Sequence, residues 1–401
     1  MVEYFDDGLG LTAKQQAVRD AVGDICDRFD DSYWREHDKA GDYPHEFVEA
    51  LADEGWLGVL LPEEYGGKGL GTPEAVAMMY EIARRGAGFS GAQTVHAAIY
   101  NSAPILNYGS DELKDELLPR VADGDAWIQC FSLTEPEAGS DSTAMTTRAV
   151  REGDEYVIDG EKLWTSRIDV SDYLVLAART TPKEDVEKRT EGVSLFLVDI
   201  ERARDAGQIE LEEIDKTASG MVSSFRVTYD GLRVPAERLI GEEDRGFYHV
   251  LDGLNEERLV IAAEAVALGE LAVEKGSAYA SEREVFGGPI GANQGVQHPL
   301  AAAMARLQAA KRLTFDAAAH ADERERKAVG AWANAAKYLA AEAAFDGADA
   351  AVQAHGGRGI DREYDVERYL REARLTRLVP ITQELALNYL GENALSLPRS
   401  Y

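Results

Sequence analysis

The spacing of apolar and polar residues divides the chain into three zones, of which the first covers about residues 11–125. Its apolar positions recur at helical intervals and predict helices over 13–29, 44–54 and 74–85. Thr12 stands where the side chain of a helix N-cap is expected. Short loops join these segments, so the first zone is predicted to be helical throughout.

The second zone, about 126–238, is rich in β-forming residues. The stretch 156–164 predicts two strands around the turn Asp159-Gly160. Further strands are predicted at 172–178, 193–200, 209–214 and 224–229, with a polar loop at 181–191. Since no helical pattern separates these strands, the zone is predicted to form a small antiparallel domain and not a βαβ array.

The third zone, about 239–401, returns to helical periodicity. Long Ala-rich stretches at 259–280, 299–321 and 328–354 have the spacing of an antiparallel helix bundle. The predicted fold is therefore mostly α with a central small β domain. The predicted domains are a helical N-terminal domain (1–125), a middle β-barrel or sandwich domain (126–238) and a C-terminal four-helix bundle (239–401).

The net charge of the chain bears on its surface and its partners and does not alter the predicted fold. There are 73 acidic and 42 basic residues, which gives a net charge of −31, and only 12 of the basic residues are Lys. Acids are spread over the whole chain, as in halophilic proteins kept soluble by molar salt that screens self-repulsion. An ordinary acidic protein is the alternative. Nucleic acid is excluded as a partner, because the charge has the wrong sign.

Several classes of protein are disfavoured. Cys26 and Cys130 are far apart and lack CxxC spacing, and the His residues are scattered, so neither a disulfide framework nor a metal site is expected. No apolar run approaches the roughly 18 residues of a membrane span. The acidic N-terminus at 1–7 has no apolar core typical of a signal peptide, which favours a cytoplasmic location.

One glycine pattern has the form of a dinucleotide-binding motif but lacks the structural context that such a motif requires. Gly86, Gly88 and Gly91 match GxGxxG, but they follow a predicted helix where the dinucleotide fingerprint requires a strand. We interpret this segment as a connection between helices. The chain has no GxxxxGK[ST], HExxH or GxSxG motif.

The most informative stretch is 131–141, Phe-Ser-Leu-Thr-Glu-Pro-Glu-Ala-Gly-Ser-Asp. It begins as an apolar strand and ends in a turn rich in small polar residues. Such a turn offers hydroxyls and backbone N–H groups to an anionic or heteroaromatic ligand. From chemistry alone, a simple surface turn explains it equally well.

The same stretch closely resembles the TEPEAGSD signature of the acyl-CoA dehydrogenase family. Four further segments resemble family motifs in the same order: Lys162–Ser166, Arg283–Gly287 with Gln294, Gln353–Gly359 and Arg371–Arg377. The resemblance covers nearly the whole chain and agrees with the three predicted zones. It implies an FAD-dependent enzyme that dehydrogenates an acyl-CoA thioester and passes electrons to electron-transferring flavoprotein.

The resemblance also implies roles for individual residues. Those expected to frame the flavin ring are Phe131, Leu133, Thr134, Trp164 and Ser166, with Thr382 as a further flavin contact. Ser140 matches a position that contacts both FAD phosphate and CoA. Those expected to hold the ADP part of a neighbouring subunit's FAD are Arg283, Phe286, Gln294, Gln353 and Gly357. Sharing FAD in this way implies a homo-oligomer, most often a tetramer.

The catalytic base departs from the commonest family pattern. Pro380 occupies the position where many members carry a Glu, and it also lacks the backbone N–H that would polarise the thioester carbonyl. Gly253–Leu259 resembles the segment that carries the base in isovaleryl- and long-chain-type members. The resemblance therefore implies Glu257 as the base, Asn255 as a contact to the CoA chain and Arg258 as a group that orients the helix or the substrate.

Two other functions remain open from the sequence. One is a flavin-dependent oxidase or monooxygenase on the same fold, which would use O2 as acceptor. The other is a non-catalytic FAD-binding relative. Neither the length or branching of the acyl chain nor the electron acceptor follows from the sequence.

Overall fold

The computed structural model describes residues 9–399, and the N-terminal stretch 1–7 used above lies outside them. The first zone is helical, as predicted. Its helices are α1 (Ala13–Cys26), α2 (Asp31–Ala40), α3 (His45–Ala52), α4 (Thr72–Ile82), α5 (Gly88–Asn101), α6 (Ala103–Tyr108) and α7 (Asp111–Ala122). Thr12 caps α1 by accepting a hydrogen bond from the backbone N–H of Gln15.

The GxGxxG segment joins α4 to α5 through a π-helical turn, Ala83–Ala87. Gly86 and Gly88 have φ angles of 107° and 65°, which favour glycine. The guanidinium of the buried Arg368 donates to the carbonyls of Gly86 and Ala87. The prediction of a connection between helices is confirmed. Two carbonyls of this connection are hydrogen-bonded to the side chain of Arg368.

The second zone forms one eight-stranded sheet. Its strands are β1 (Cys130–Ser132), β2 (Arg148–Glu152), β3 (Glu155–Ser166), β4 (Tyr173–Arg179), β5 (Val193–Asp199), β6 (Ile209–Glu213), β7 (Ser224–Pro235) and β8 (Leu239–Ile240). The order in the sheet is β6-β7-β3-β2-β4-β5-β8, and β1 lies beside β4. Most neighbours are antiparallel, but β1 and β2 both pair with β4 in parallel.

Two details of the β prediction are wrong. A short helix, α8 (Ile200–Asp205), follows β5, and its N-terminus is capped by the side chain of Asp199. The stretch 156–164 belongs to the single strand β3, whose two halves pair with β7 and not with each other. At Gly160 the register shifts, and a Cβ there would lie 2.5 Å from Oγ1 of Thr147, so glycine allows a close approach of chains instead of a hairpin turn.

The third zone contains the long helices α9 (Gly246–Glu282), α10 (Gln294–Ala319) and α11 (Arg326–His355), followed by α12 (Val366–Thr376) and α13 (Gln383–Asn393). The two-residue strands β9 (Glu284–Val285) and β10 (Gly288–Pro289) form a small hairpin between α9 and α10. Small residues let the bundle helices approach closely: a Cβ at Gly269 of α9 would lie 2.8 Å from Cα of Ala344 in α11.

Helices α4 and α5 share one apolar core with α9 and α11. The predicted fold class, mostly α with a central β domain, is confirmed. Among residues 9–399, no helix is both long and apolar enough to cross a membrane.

Candidate active site

The two segments expected to frame a flavin ring lie side by side. The backbone N–H of Leu163 donates to the carbonyl of Thr134 at 2.8 Å. The hydroxyls of Ser132 and Thr165 are 2.6 Å apart. These bonds join the chain after β1 to the end of β3. They bring Phe131, Leu133 and Thr134 next to Trp164 and Ser166.

Trp164 has an unusual environment for a large aromatic residue. Its backbone adopts a left-handed conformation with φ 63°. The residue is 51% exposed, so it is not a core residue. The Trp164 side chain is therefore open to a ligand. Two residues later, the hydroxyl of Ser166 is hydrogen-bonded to that of Ser224 at 2.8 Å.

A buried ion pair anchors the turn that follows β1. The Lys162 ammonium donates to the Leu133 carbonyl at 2.9 Å and to Oε1 of Glu135 at 3.0 Å. The Glu135 carboxylate also accepts from the backbone N–H groups of Thr146 and Thr147. We name this set the Lys162–Glu135 anchor. It holds the turn that carries Thr134 and Ser140, the latter being exposed.

The Lys162–Glu135 anchor is ionic at neutral pH. Burial by itself favours the protonated carboxyl, but Lys162 and the donors around the carboxylate lower the pKa of Glu135 to about 2. Burial lowers the pKa of Lys162 to about 8, with Glu135 opposing that change. Since about 8 is still above neutral pH, the ammonium remains charged.

The second part of the site lies on α9. Glu257 is half-buried, with its side chain 27% exposed, and its Oε1 is 3.7 Å from Nε2 of His96 on α5. That separation is an ion-pair distance and too long for a hydrogen bond. The other ring nitrogen of His96, Nδ1, is 2.9 Å from Oε1 of Glu264, one hydrogen bond away.

The buried His96 is a cation at neutral pH. Burial disfavours its charged form, but Glu264 and Glu257 outweigh burial and raise the pKa of His96 to about 9. Gln93, one turn earlier on α5, donates to the second carboxylate oxygen of Glu264 at 2.7 Å. Sequence reasoning missed His96 and Glu264, because they are 168 residues apart and match no motif.

Asn255 and Arg258 form a pair beside Glu257. Arg258 donates from Nη1 to Oδ1 of Asn255 at 3.0 Å, and Asn255 donates to the carbonyl of Arg326 at 3.3 Å. Glu256 is half-buried, its Oε2 has no hydrogen-bond partner, and burial raises its pKa. Glu256 is thus not the freely solvated acid that its place on a helix would suggest.

The two parts of the site converge at one apolar cluster. Phe131 and Leu133 border it from the sheet, while Phe247 and Leu254 border it from α9. Leu254 precedes Glu257 by three residues, so it lies about one turn away on the same helix. Glu257 therefore lies on the helix that borders the same apolar cluster as the flavin-type segments.

Arg167 connects the same region to α5. It donates from Nε to the Gln129 carbonyl and from Nη1 to the Gln93 carbonyl, both at 2.8 Å. It therefore ties the end of β3 to the helix that carries His96.

The residues expected to contact ADP lie at one end of the bundle, where α9 ends, α10 begins and α11 ends. All five are exposed: Arg283, Phe286, Gln294, Gln353 and Gly357. Phe286 is fully exposed at the tip of the β9–β10 hairpin. A Cβ at Gly357 would meet no atom within 4 Å, so a ligand can approach this backbone closely.

Thr382 and Pro380 lie in the connection between α12 and α13. Thr382 caps α13 by accepting a hydrogen bond from the backbone N–H of Leu385. Pro380 is half-buried. The buried Lys337 of α11 donates to the Ile381 carbonyl at 2.7 Å and so anchors this connection to the bundle.

A cavity of about 840 Å³ opens near the N-terminal end of α9. Its lining includes Tyr108 of α6, Arg245 and His249 at the start of α9, and Arg326 of α11. Tyr108 and His249 are stacked with their ring centres 4.0 Å apart. Sequence reasoning missed this cavity, because its residues come from separate elements.

Comparison with known proteins decides the family. Profiles for the N-terminal, middle and C-terminal domains of acyl-CoA dehydrogenases match residues 12–125, 130–231 and 244–395. The chain belongs to the acyl-CoA dehydrogenase family. It is an FAD-dependent oxidoreductase that acts on a CH–CH bond.

Individual relatives cover nearly the whole chain. The acyl-CoA dehydrogenase fadE12 of Mycobacterium bovis is 36% identical over 388 residues, which is 97% of each chain. Butyryl-CoA dehydrogenase from Megasphaera elsdenii is 26% identical, with a TM-score of 0.88 over 96% of this chain and 99% of that one. Glutaryl-CoA dehydrogenase in its glutaryl-CoA complex is 28% identical, with a TM-score of 0.88 over 98% of this chain and 97% of that one.

The residues of this acyl-CoA dehydrogenase fit its cofactor. The exposed ring of Trp164 suits a flat heteroaromatic ligand, and the backbone bond from Leu163 to Thr134 holds the two flavin-type segments side by side. The open backbone at Gly357 and the exposed guanidinium of Arg283 suit a pyrophosphate.

Proposed function

We propose that this enzyme dehydrogenates an acyl-CoA thioester to the trans-2-enoyl-CoA and passes the electrons to electron-transferring flavoprotein, with Glu257 as the base. One observation carries this proposal. Glu257 is held beside a buried cation on the helix whose Leu254 borders the same cluster as Phe131 and Leu133. A partly exposed carboxylate in such a place suits proton abstraction.

In the proposed reaction, FAD when bound supplies the acceptor for the β-hydrogen and its electron pair. The carboxylate of Glu257 removes the proton from the α carbon. Asn255 and Arg258, which bind each other, hold the thioester chain near the base. Phe131, Leu133, Thr134, Trp164, Ser166 and Thr382 hold the ring in place. Removal of a proton by a positioned base contributes roughly 10²–10⁴-fold in rate.

The CoA part is assigned to the cavity at the start of α9. In a chain with a net charge of −31, this lining carries two cations, Arg245 and Arg326, against one acid, Glu242, which makes it a favourable place for phosphate groups. Arg326 also contributes its carbonyl to Asn255, which links the cavity to the base helix. Ser140 is proposed as a further contact to CoA and to FAD phosphate.

A homo-oligomer, most simply a tetramer, is proposed for the FAD site. Glu257 and Arg283 are separated by 26 residues of α9, or about 39 Å of helix. A single cofactor does not reach from one to the other. The exposed Arg283, Phe286, Gln294, Gln353 and Gly357 are therefore assigned to the FAD of a neighbouring subunit.

The domain division at 1–125, 126–238 and 239–401 is retained as a proposal. So is a salt-rich cytoplasm as the working environment, which rests on the dispersed negative charge.

The decisive experiment follows flavin absorbance under anaerobic conditions. A panel of straight and branched acyl-CoAs, from butyryl- and isovaleryl- to palmitoyl-CoA, is mixed with the FAD-loaded enzyme. We expect at least one to bleach the flavin, and the reduced enzyme to react slowly with air but rapidly with electron-transferring flavoprotein. Rapid reoxidation by air would support an oxidase or monooxygenase instead. An absence of bleaching with every member would support a non-catalytic relative.

A further inference from the structure

His96 lies between two acids of α9 that are seven residues apart. Glu257 and Glu264 are separated by two helical turns and therefore share one face of the helix. His96 Nδ1 is 2.9 Å from Glu264, and Nε2 is 3.7 Å from Glu257. The imidazole thus spans both carboxylates, one deep in the core and one toward the site.

The two ends of this arrangement differ. At the inner end, the fully buried Glu264 accepts hydrogen bonds from both His96 and Gln93. At the outer end, the buried Nε2 of His96 has no hydrogen-bond partner and faces Glu257. Buried donors are usually satisfied, so a donor left open beside a functional carboxylate indicates more than packing.

We propose that His96 is a positioning residue: Glu264 holds the imidazole through Nδ1, so that Nε2 faces the Glu257 carboxylate and keeps it oriented toward the substrate. This inference rests on the proposed function of Glu257. His96 itself does not exchange a proton during the reaction. It stays charged while Glu257 takes the α-proton.

The charges around this group support a held cation. His96 faces Glu257 and Glu264 on α9, and Tyr100 on its own helix, whose ring centre is 5.4 Å away. Burial raises the pKa of Tyr100, so this phenol stays neutral. The other charged groups near these side chains are Glu256, Arg258, Asp322 and Arg167. His96 is thus the cation between the two carboxylates that it spans.

The test uses the FAD-loaded enzyme with two variants and one control. His96→Gln removes the cation, and Glu264→Gln removes the buried charge that sustains it while keeping side-chain volume. His320→Gln is the control, because His320 lies near Asp316 and Glu323 at an exposed position. Anaerobic flavin reduction is followed from pH 5.5 to 9 with whichever acyl-CoA of the panel bleaches the parent fastest.

We expect His96→Gln to move the acidic limb of the rate profile up by about one pH unit, because a neighbouring cation favours the ionised form of a carboxylate. The plateau should fall about tenfold through loss of orientation. FAD content and KM should stay near the parent values, which a general loss of structure would not allow. Glu264→Gln should move the limb in the same direction by less, and His320→Gln should not move it.

A second measurement does not need activity. A raised pKa of His96 stabilises the folded state fully below its ordinary value near 6.5, and this contribution is lost as the pH rises to about 9. The difference in urea stability between the parent and His96→Gln should therefore shrink between pH 6 and 9.5. If His96→Gln does not fold, the comparison of the parent with Glu264→Gln decides.

Three results overturn the proposal. One is an acidic limb that stays in place in both His96→Gln and Glu264→Gln. Another is a stability difference that is the same at pH 6 and pH 9.5. The third is an enzyme that no acyl-CoA reduces, which removes the proposed base; the stability measurement then still shows whether His96 is charged, so the two failures are distinguishable.

Discussion

Lys162 and His96 are both buried beside carboxylates, and they differ in how completely they are hydrogen-bonded. In the Lys162–Glu135 anchor, the ammonium reaches a carbonyl and a carboxylate at 2.9 and 3.0 Å, and Glu135 has further backbone donors. At His96, one ring nitrogen is hydrogen-bonded to Glu264, and the other lies 3.7 Å from the Glu257 carboxylate, which is too far for a hydrogen bond. The Lys162–Glu135 anchor fixes a turn, whereas at His96 the carboxylate of the proposed base remains partly exposed.

The difference shows how a buried cation beside a carboxylate can serve either structure or chemistry. A fully satisfied buried pair is costly to break and has no remaining valence for a ligand. A cation with one unbonded donor leaves the neighbouring carboxylate accessible and still exerts an electrostatic effect on it. The following predictions test this contrast, beginning with the largest expected effect.

Glu257→Gln should slow flavin reduction by roughly 10²–10⁴-fold, because an amide does not accept the α-proton. FAD content and acyl-CoA binding should be retained. Stopped-flow reduction under anaerobic conditions measures the rate. Glu256→Gln is the matched control and should stay near the parent rate, since Gln resembles the protonated form that burial of Glu256 favours. Equal rates in the parent and both variants would remove Glu257 as the base.

Lys162→Met should lower the free energy of unfolding by about 3–5 kcal/mol, because it leaves the buried Glu135 carboxylate without its cation. The turn carrying Thr134 should loosen, so FAD should be retained less well. Denaturant unfolding and the flavin-to-protein absorbance ratio measure the two effects. Lys183→Met, at an exposed position of the 181–191 loop, is the control. A loss below about 0.5 kcal/mol, as at ordinary surface positions, would contradict the anchor role.

The two buried ion pairs should lose their contribution to stability at opposite ends of the pH scale. The lowered pKa of Glu135 contributes stability above its ordinary value near 4.5, and this contribution is lost as the pH falls to about 2. The contribution of His96 is lost on the alkaline side instead. Glu135→Gln should therefore differ from the parent most at neutral pH and least near pH 2. Denaturant titrations at several pH values give these differences, and parallel curves would argue against the anchor.

Arg283→Ala should weaken FAD binding about tenfold, the effect of losing one hydrogen bond to a charged group. It should also weaken the oligomer, because Arg283 is assigned to a neighbouring subunit's cofactor. Equilibrium dialysis and light scattering measure the two properties. Arg358→Ala, also exposed at this end of the bundle, is the comparison variant. A full FAD content in an unchanged oligomer would show that this end of the bundle does not bind the cofactor.

Salt should act on the surface and spare the buried pairs. The melting temperature of the parent should rise between dilute buffer and about 2 M KCl, where charge repulsion is nearly fully screened. The loss caused by Lys162→Met should be the same at both salt concentrations, because buried pairs are poorly screened. A melting temperature that is flat or falls with KCl would exclude the halophilic interpretation.

Local patterns were enough for the fold class and for recognition of the family. Helical periodicity and β-rich runs are properties of neighbouring residues, and the segments at 131–134 and 164–166 matched long family motifs. The missed helix α8 is local, but the wrong hairpin at 156–164 arose because distant chain segments decide the structure there. Gly160 follows Asp159 as in a hairpin turn, but its partner is the distant strand β7 and its close neighbour is Thr147.

The sequence by itself determined the family-type motifs, the three zones, the negative surface and the place of Glu257 on a helix. Only the tertiary structure decided what surrounds that carboxylate. Packing of α5 against α9 placed His96 next to Glu257 and Glu264, and packing of β1 against β3 placed Lys162 under Leu133. The charge states of buried groups depend on such neighbours and on exclusion of water, and neither is encoded in any single stretch of chain.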